Sequence, residues 1–194
     1  MPGALDERRI AFLVANEGVE QVELTEPWDA VKDAGATPVL LAPEPGHVQA
    51  FDHHDRADRF TVDEPVEASD PSTFTGLVLP GGVINADALR TYPHAVRFVR
   101  EFIEEHKPIA VIGHGPWILI ETGALHGRTL ASWPSLRTDI TYAGAEWVDE
   151  EVVVDRHDGT TIVSSRKPAD LPAFCLQMIR VFGETPASAA RFAS

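Results

Sequence analysis

Four short, uninterrupted apolar runs govern what this chain can fold into: Ile10-Ala11-Phe12-Leu13-Val14, Pro38-Val39-Leu40-Leu41, Gly76-Leu77-Val78-Leu79 and Ile109-Ala110-Val111-Ile112. A strand with one wet face alternates apolar and polar side chains, so a run without alternation belongs to a strand covered on both faces. Helical periodicity falls between the runs. Val22 to Asp33 reads as one helix, and Ala95, Val96, Val99, Phe102 and Ile103 form the apolar stripe of another, with Arg97, Arg100, Glu101 and Glu104 toward water. Strands alternating with helices predict a three-layer α/β/α sandwich around a mostly parallel sheet, with ligands beyond the carboxyl ends of the strands. With 194 residues, 44% of them hydrophobic, the chain can bury one good core. It is expected to form a single domain over residues 9–183, between a flexible lead-in (1–8) and a flexible tail (184–194) rich in Ala and Ser.

One insertion interrupts the alternation. Residues 48–67, with Val48/Ala50 and Phe60/Val62 alternating, read as an antiparallel hairpin whose tip carries His53-His54-Asp55. Adjacent strand residues point to opposite faces, which favours a solvated hairpin end over a metal cluster.

Charge and cysteine usage exclude several classes. Thirty acidic against sixteen basic residues give a net charge of −14, a surface that repels phosphate backbones and anionic lipids, so neither nucleic acid nor membrane is expected as a partner. The apolar runs are far shorter than the ~20 residues of a membrane span. Met1-Pro2-Gly3-Ala4-Leu5-Asp6-Glu7 lacks the basic-then-apolar pattern of a secretory signal, and a cytoplasmic location is expected. The single cysteine, Cys175, shares a helical face with Leu171, Phe174, Met178 and Phe182 and reads as an inert buried side chain rather than a nucleophile. No metal-ligand cluster and no phosphate-binding glycine loop with its matching acid is legible, so neither metal nor cofactor is expected.

The chemistry gathers at strand ends. Ile112-Gly113-His114-Gly115-Pro116-Trp117-Ile118 reads as a strand ending in a sharp turn that opens a helix, the place where α/β hydrolases expose a nucleophile. The apex here is Gly113, which has no side chain. The first strand leads into carboxylates at Glu17, Glu20 and Glu23, and the spacing of three predicts Glu20 and Glu23 on one helical face. The third ends at Leu79-Pro80-Gly81-Gly82, whose glycines leave backbone N–H groups open to a ligand. A carboxylate base, open N–H groups and an elbow are the parts of acyl or carbonyl chemistry.

Val19-Glu20-Gln21-Val22-Glu23-Leu24, Leu79-Pro80-Gly81-Gly82, Gly113-His114-Gly115-Pro116-Trp117, Ser132-Trp133-Pro134-Ser135 and Ala143-Gly144-Ala145-Glu146-Trp147-Val148-Asp149-Glu150 together resemble the PfpI intracellular peptidase family, within the superfamily of the human parkinsonism-associated deglycase. The resemblance covers about Arg9 to Phe182. It implies a flavodoxin-like sandwich related to class I glutamine amidotransferases, assembled as dimers or larger oligomers. It also implies peptidase, deglycase, glyoxalase, isonitrile hydratase, chaperone or stress-protein roles. The family's elbow is Cys-His-Gly, so its nucleophile falls on Gly113. Its activating glutamate falls on Glu23, with Glu20 at a neighbouring acidic position. Its histidine is His114, which peptidase members pair with an acid of the adjacent subunit, for which Asp87 is the nearest candidate. The resemblance places Trp133 in the pocket, Trp117 beside it, and the oxyanion-hole amides on Gly82 and His114, next to Gly81.

The absent thiol leaves three readings. Losing the nucleophile of a covalent hydrolase removes on the order of 10⁶ in rate, which leaves a silent protein of peptidase, deglycase or glyoxalase lineage that binds or chaperones. A second reading places a water in the room left by the cysteine side chain, activated by Glu23 for attack on a carbonyl or related electrophile. In the third, His114 and Glu23 are structural and the pocket is vestigial. The expected ligand is a small electrophile or a peptide.

Overall fold

The computed structural model describes residues 3–184. In chain order its elements are β1 (Arg9–Leu13), β2 (Glu17–Glu20), α1 (Gln21–Asp33), β3 (Thr37–Ala42), β4 (His47–Asp52), β5 (Asp55–Thr61), β6 (Glu64–Pro65), β7 (Gly76–Leu79), α2 (Val83–Leu89), α3 (Pro93–Glu104), β8 (Ile109–Ile112), α4 (Trp117–Thr122), β9 (Thr129–Leu130), α5 (Arg137–Tyr142), β10 (Glu146–Trp147), β11 (Val152–Asp155), β12 (Ile162–Ser165) and α6 (Leu171–Glu184). The main sheet runs β11-β12-β8-β7-β1-β3-β6. Its pairs are parallel except β11 with β12. The four apolar runs are the adjacent inner strands β8, β7, β1 and β3. The sheet divides the apolar interior into two clusters, one holding Phe74, Phe98 and Phe102, the other Phe12, Phe174 and Phe182. Helices cover both faces, the flavodoxin-like arrangement expected, and among the described residues no helix is long and apolar enough to cross a membrane.

Residues 3–8 depart from the expected flexible lead-in. Leu5 is fully buried, its N–H donates to the Ala34 carbonyl (2.9 Å), and the Arg8 guanidinium donates to the Phe182 carbonyl (2.8 Å). A single apolar side chain that fills a gap beside the end of α1 is enough to order so short a segment, and hydrophobic periodicity cannot reveal it. Met1, Pro2 and residues 185–194 lie outside the described part, and with them nearly all of the expected tail.

The insertion is the predicted hairpin, with Val48 opposite Phe60. It forms a separate sheet in the order β2-β4-β5, because β2 pairs in parallel with β4. The end of the segment differs from expectation: Glu64–Pro65 leaves the hairpin and pairs with β3 in the main sheet. Two residues are too few for any pattern to be read.

Candidate active site

Register brings the site together. β1 pairs with β7, and β7 with β8 so that Leu79 lies opposite Val111. The turns after β7 and β8 therefore emerge side by side, at the carboxyl edge where an open α/β sheet places its ligands. The elbow is held by its backbone: the Gly113 N–H donates to the Ser165 carbonyl (3.2 Å), and the Trp133 N–H donates to the Gly113 carbonyl (2.9 Å). Gly113 sits at φ +62°, the left-handed region that a side chain enters only at a cost.

The glycine turn after β7 is fixed by a residue that carried no sequence signal, Asn85. This fully buried side chain donates to the carbonyls of Pro80 (3.1 Å) and Gly81 (2.9 Å) and accepts the Ala15 N–H (2.6 Å). It ties the ends of β1 and β7 into one frame. Asn85→Ala strands the Ala15 N–H and removes two clamps, so it is expected to lower stability by about 2–4 kcal/mol. Urea unfolding of the variant beside the native chain measures this, and an unchanged midpoint contradicts it.

Glu23 is the centre of the site. It lies in the first turn of α1, is only 3% exposed, and accepts the Gly81 N–H at Oε2 (2.8 Å). Burial pushes its carboxyl up to about 8, opposed by the Gly81 hydrogen bond and assisted by the negative charge of Glu20. A Cβ built on Gly113 would stand 2.7 and 2.8 Å from the two Glu23 oxygens, closer than carbon and oxygen can approach. The carboxyl group itself thus stands against the elbow where a cysteine side chain would begin. This corrects the expectation of a water-sized space beside Glu23. The same geometry corrects the role expected of Gly81, since its amide already donates to Glu23. Among the described residues, the Gly82 and His114 amides donate to no protein acceptor, as an oxyanion hole requires.

Glu20 also reaches the pocket, but not from a shared helical face. It is the last residue of β2, with extended φ/ψ, and the helix starts after it. Pairing with β4 holds it in a strand, and its carboxylate accepts the His53 N–H (3.2 Å) from the hairpin tip. Burial raises its pKa. The tip is therefore not simply a solvated end, since His53 and His54 both border the pocket. Among the described residues, Glu20, Asp52 and His53 bring potential ligand atoms within 4.8 Å of one another. The Asp52 and His53 side chains are largely exposed, and the group reads as a contact between hairpin and site.

The His114 ring stacks on Trp133 (6.0 Å between centroids) and meets the edge of Trp117 (5.5 Å). Burial lowers its pKa, which favours neutral imidazole. Its Nε2 lies 3.3 Å from Ser135 Oγ, a partner present in a quoted motif but given no role there. Trp117 lies behind the ring rather than in the pocket: its indole N–H donates to Asp139 (2.8 Å), and Arg90 stacks on its face. Within the protomer Asp87 is also away from His114, exposed and 3.8 Å from Arg90, because α2 turns it outward. Cys175 lies on α6 and not among the pocket residues, and burial first, then Glu26, pushes its thiol up to about 11. The cavity, about 450 Å³, is lined by Glu20, Glu23, Gly82, Gly113, His114 and Trp133 together with Phe51, the hairpin tip, Val83, Ile84 and Pro168.

Comparison with known proteins gives one answer. The sequence model of the DJ-1/PfpI family matches residues 8–181. Deglycase PfpI of Pyrococcus furiosus is 38% identical over 173 residues, 89% of this chain and 98% of that protein. Protein/nucleic acid deglycase 2 of Escherichia coli is 35% identical, covering 91% and 98%. A putative cysteine protease of Bacillus subtilis, YraA, is 36% identical, covering 86% and 94%. Among solved structures, a two-domain protein of Anabaena variabilis with DJ-1/ThiJ/PfpI-like and ferritin-like domains superposes with a TM-score of 0.81 at 30% identity. That match covers 96% of this chain and about half, 52%, of the longer one. DJ-1 of Schizosaccharomyces pombe, at 18% identity and a TM-score of 0.77, shares the fold over 93% of this chain and 94% of that one. With strand order, elbow and a sequence match over nearly the whole domain in agreement, the chain belongs to the DJ-1/PfpI family.

Proposed function

We propose that this protein is a cofactor-free hydratase or hydrolase of a small electrophile, with Glu23 activating a water in place of the absent thiol. The observation that carries this reading is the Glu23 carboxyl group, which reaches the apex at Gly113, where no nucleophilic side chain stands, and borders the pocket. A silent binding protein needs no ionisable group there. Holding a carboxyl in so dry a place is unfavourable for stability, as is usual for groups tuned to act near neutral pH.

In this mechanism the electrophile's heteroatom accepts hydrogen bonds from the Gly82 and His114 amides. Glu23, ionised, removes a proton from a water that enters from the pocket side rather than from a cysteine-sized hole. The water oxygen bonds to the electrophilic carbon, and the displaced π electron pair moves to the heteroatom between the two N–H groups. Glu23 then returns the proton to that heteroatom, so the net change is addition of water. Where the adduct carries a leaving group, hydrolysis follows. Neutral His114, held between Trp117, Trp133 and Ser135, shapes the wall and is placed to relay a proton. The substrate belongs to the aldehydes, carbonyls and related electrophiles.

A general base is active when deprotonated, so turnover should rise with pH and level off above about 8. Screening small aldehydes and related electrophiles for water addition, across a pH range from acid to alkaline, tests this. Glu23→Gln should lose on the order of 10²–10⁴ in rate, while alkylation of Cys175 should change nothing. A Glu23→Gln protein with undiminished turnover would falsify the reading.

A further inference from the structure

Apart from histidine, the ionisable groups in the walls of the pocket are all acidic. Glu20 and Glu23 are its carboxyl groups, its other ionisable side chains are His53, His54 and His114, and none of the described residues bordering it is a lysine or arginine. The same pocket is lined by apolar side chains that are unusually open to solvent: Val83 and Ile84 at the start of α2 are 48% and 49% exposed, and Trp133 is 42% exposed. Phe51, from the hairpin, continues that wall. We infer that the site takes an uncharged electrophile with an apolar or aromatic substituent and turns away the carboxylate-bearing equivalents, an inference that rests on Glu23 acting as the base.

Two physical effects act against an anion. It meets the Glu20 carboxylate with no lysine or arginine in the wall to offset the repulsion, in a partly buried cleft where charge is poorly screened. Its charge beside Glu23 also disfavours ionisation of that group, and a protonated Glu23 cannot take a proton from water. An uncharged molecule escapes both effects. Its apolar substituent covers Val83, Ile84 and the Trp133 ring, removing from water surface that the free protein leaves exposed. Small polar aldehydes gain nothing from that wall. The preference is therefore set by two separate features, the carboxyl groups and the exposed apolar side chains, and each can be removed alone.

Three probes separate them: benzaldehyde, 4-carboxybenzaldehyde and acetaldehyde, titrated calorimetrically into the full chain in mildly alkaline buffer. Benzaldehyde should bind at least tenfold more tightly than either of the others. Added salt should narrow the gap to the carboxylate and leave that to acetaldehyde alone. Glu20→Gln should raise affinity for 4-carboxybenzaldehyde severalfold, and Val83→Ser should weaken benzaldehyde only. Equal or tighter binding of the carboxylate, a gap insensitive to both salt and Glu20→Gln, or no saturable benzaldehyde binding overturns the inference. Binding needs no proton transfer, so the same ranking measured in Glu23→Gln keeps the two proposals apart. A correct ranking without turnover in the native chain overturns only the role of Glu23, and turnover with reversed preference overturns only the substrate class.

Discussion

Glu23→Gln is expected to fold more stably than the native chain in alkaline solution, by about 3–5 kcal/mol at pH 9 and by almost nothing near pH 4. The sign follows from the direction of the shift. The folded state holds the Glu23 proton more tightly than the unfolded chain, raising its pKa from 4.5 to about 8. The stability due to that proton is thus complete below about 4.5 and is lost as pH rises through about 8. The substituted amide carries no charge at any pH and can accept the same Gly81 hydrogen bond, so it escapes the loss. Thermal melts at several pH values read this directly, and for a domain of this size the alkaline difference is on the order of 10 °C. Parallel melting temperatures across pH would show that Glu23 titrates as an ordinary carboxyl. Stability gained where turnover is lost is the signature of a residue kept for chemistry rather than for folding.

Gly113→Ala is expected to cost about 2–3 kcal/mol, much for one methyl group. Part is backbone strain, since Gly113 lies at φ +62° and an L side chain in that region costs roughly 1–2 kcal/mol. The rest comes from Glu23, whose oxygens lie 2.7 and 2.8 Å from the new Cβ. The carboxyl must retreat, and in doing so it gives up the Gly81 N–H and leaves that amide buried without a partner. Turnover should fall with it. A double-mutant cycle checks the cause, because in a Glu23→Ala background Gly113→Ala should lose the steric part and keep only the strain, a coupling of about 1 kcal/mol. Additive effects would mean that the two residues do not share this space. Gly113→Cys asks the same shift of the Glu23 carboxyl and the same left-handed backbone, so it should cost about as much as the alanine.

Much of this architecture is legible in the sequence, for physical reasons that differ from residue to residue. Strands β1, β3, β7 and β8 announce themselves because burial on both faces demands continuous apolar runs. The elbow, Glu23 and the Gly81-Gly82 turn are legible because each sits at the end of such a run. What stays hidden depends on contacts between distant segments. Asn85 ties β1 to β7 through three hydrogen bonds, and no local pattern marks a buried asparagine. The approach of Glu23 to Gly113 spans α1 and the turn after β8 and reverses the expected use of the missing side chain: the space is taken by the Glu23 carboxyl. Motif position points to Trp117, but one helix turn decides whether a side chain faces the pocket or its back. Glu20 reaches its expected place by a different route, as the end of a strand.

The contact between Glu23 and the elbow also bears on how such a protein can change by mutation. Glycine and cysteine codons can differ by a single base, so a return to the thiol looks like one short step. In this chain the step also asks Glu23 to move, because a cysteine at the apex and the forward carboxyl cannot both keep these positions. A side-chain rotation is enough to make that room, and it takes the carboxyl off the Gly81 N–H. Recovery of the thiol is therefore one change in sequence and two in structure, and the glycine at the apex sets where its neighbour's carboxyl rests.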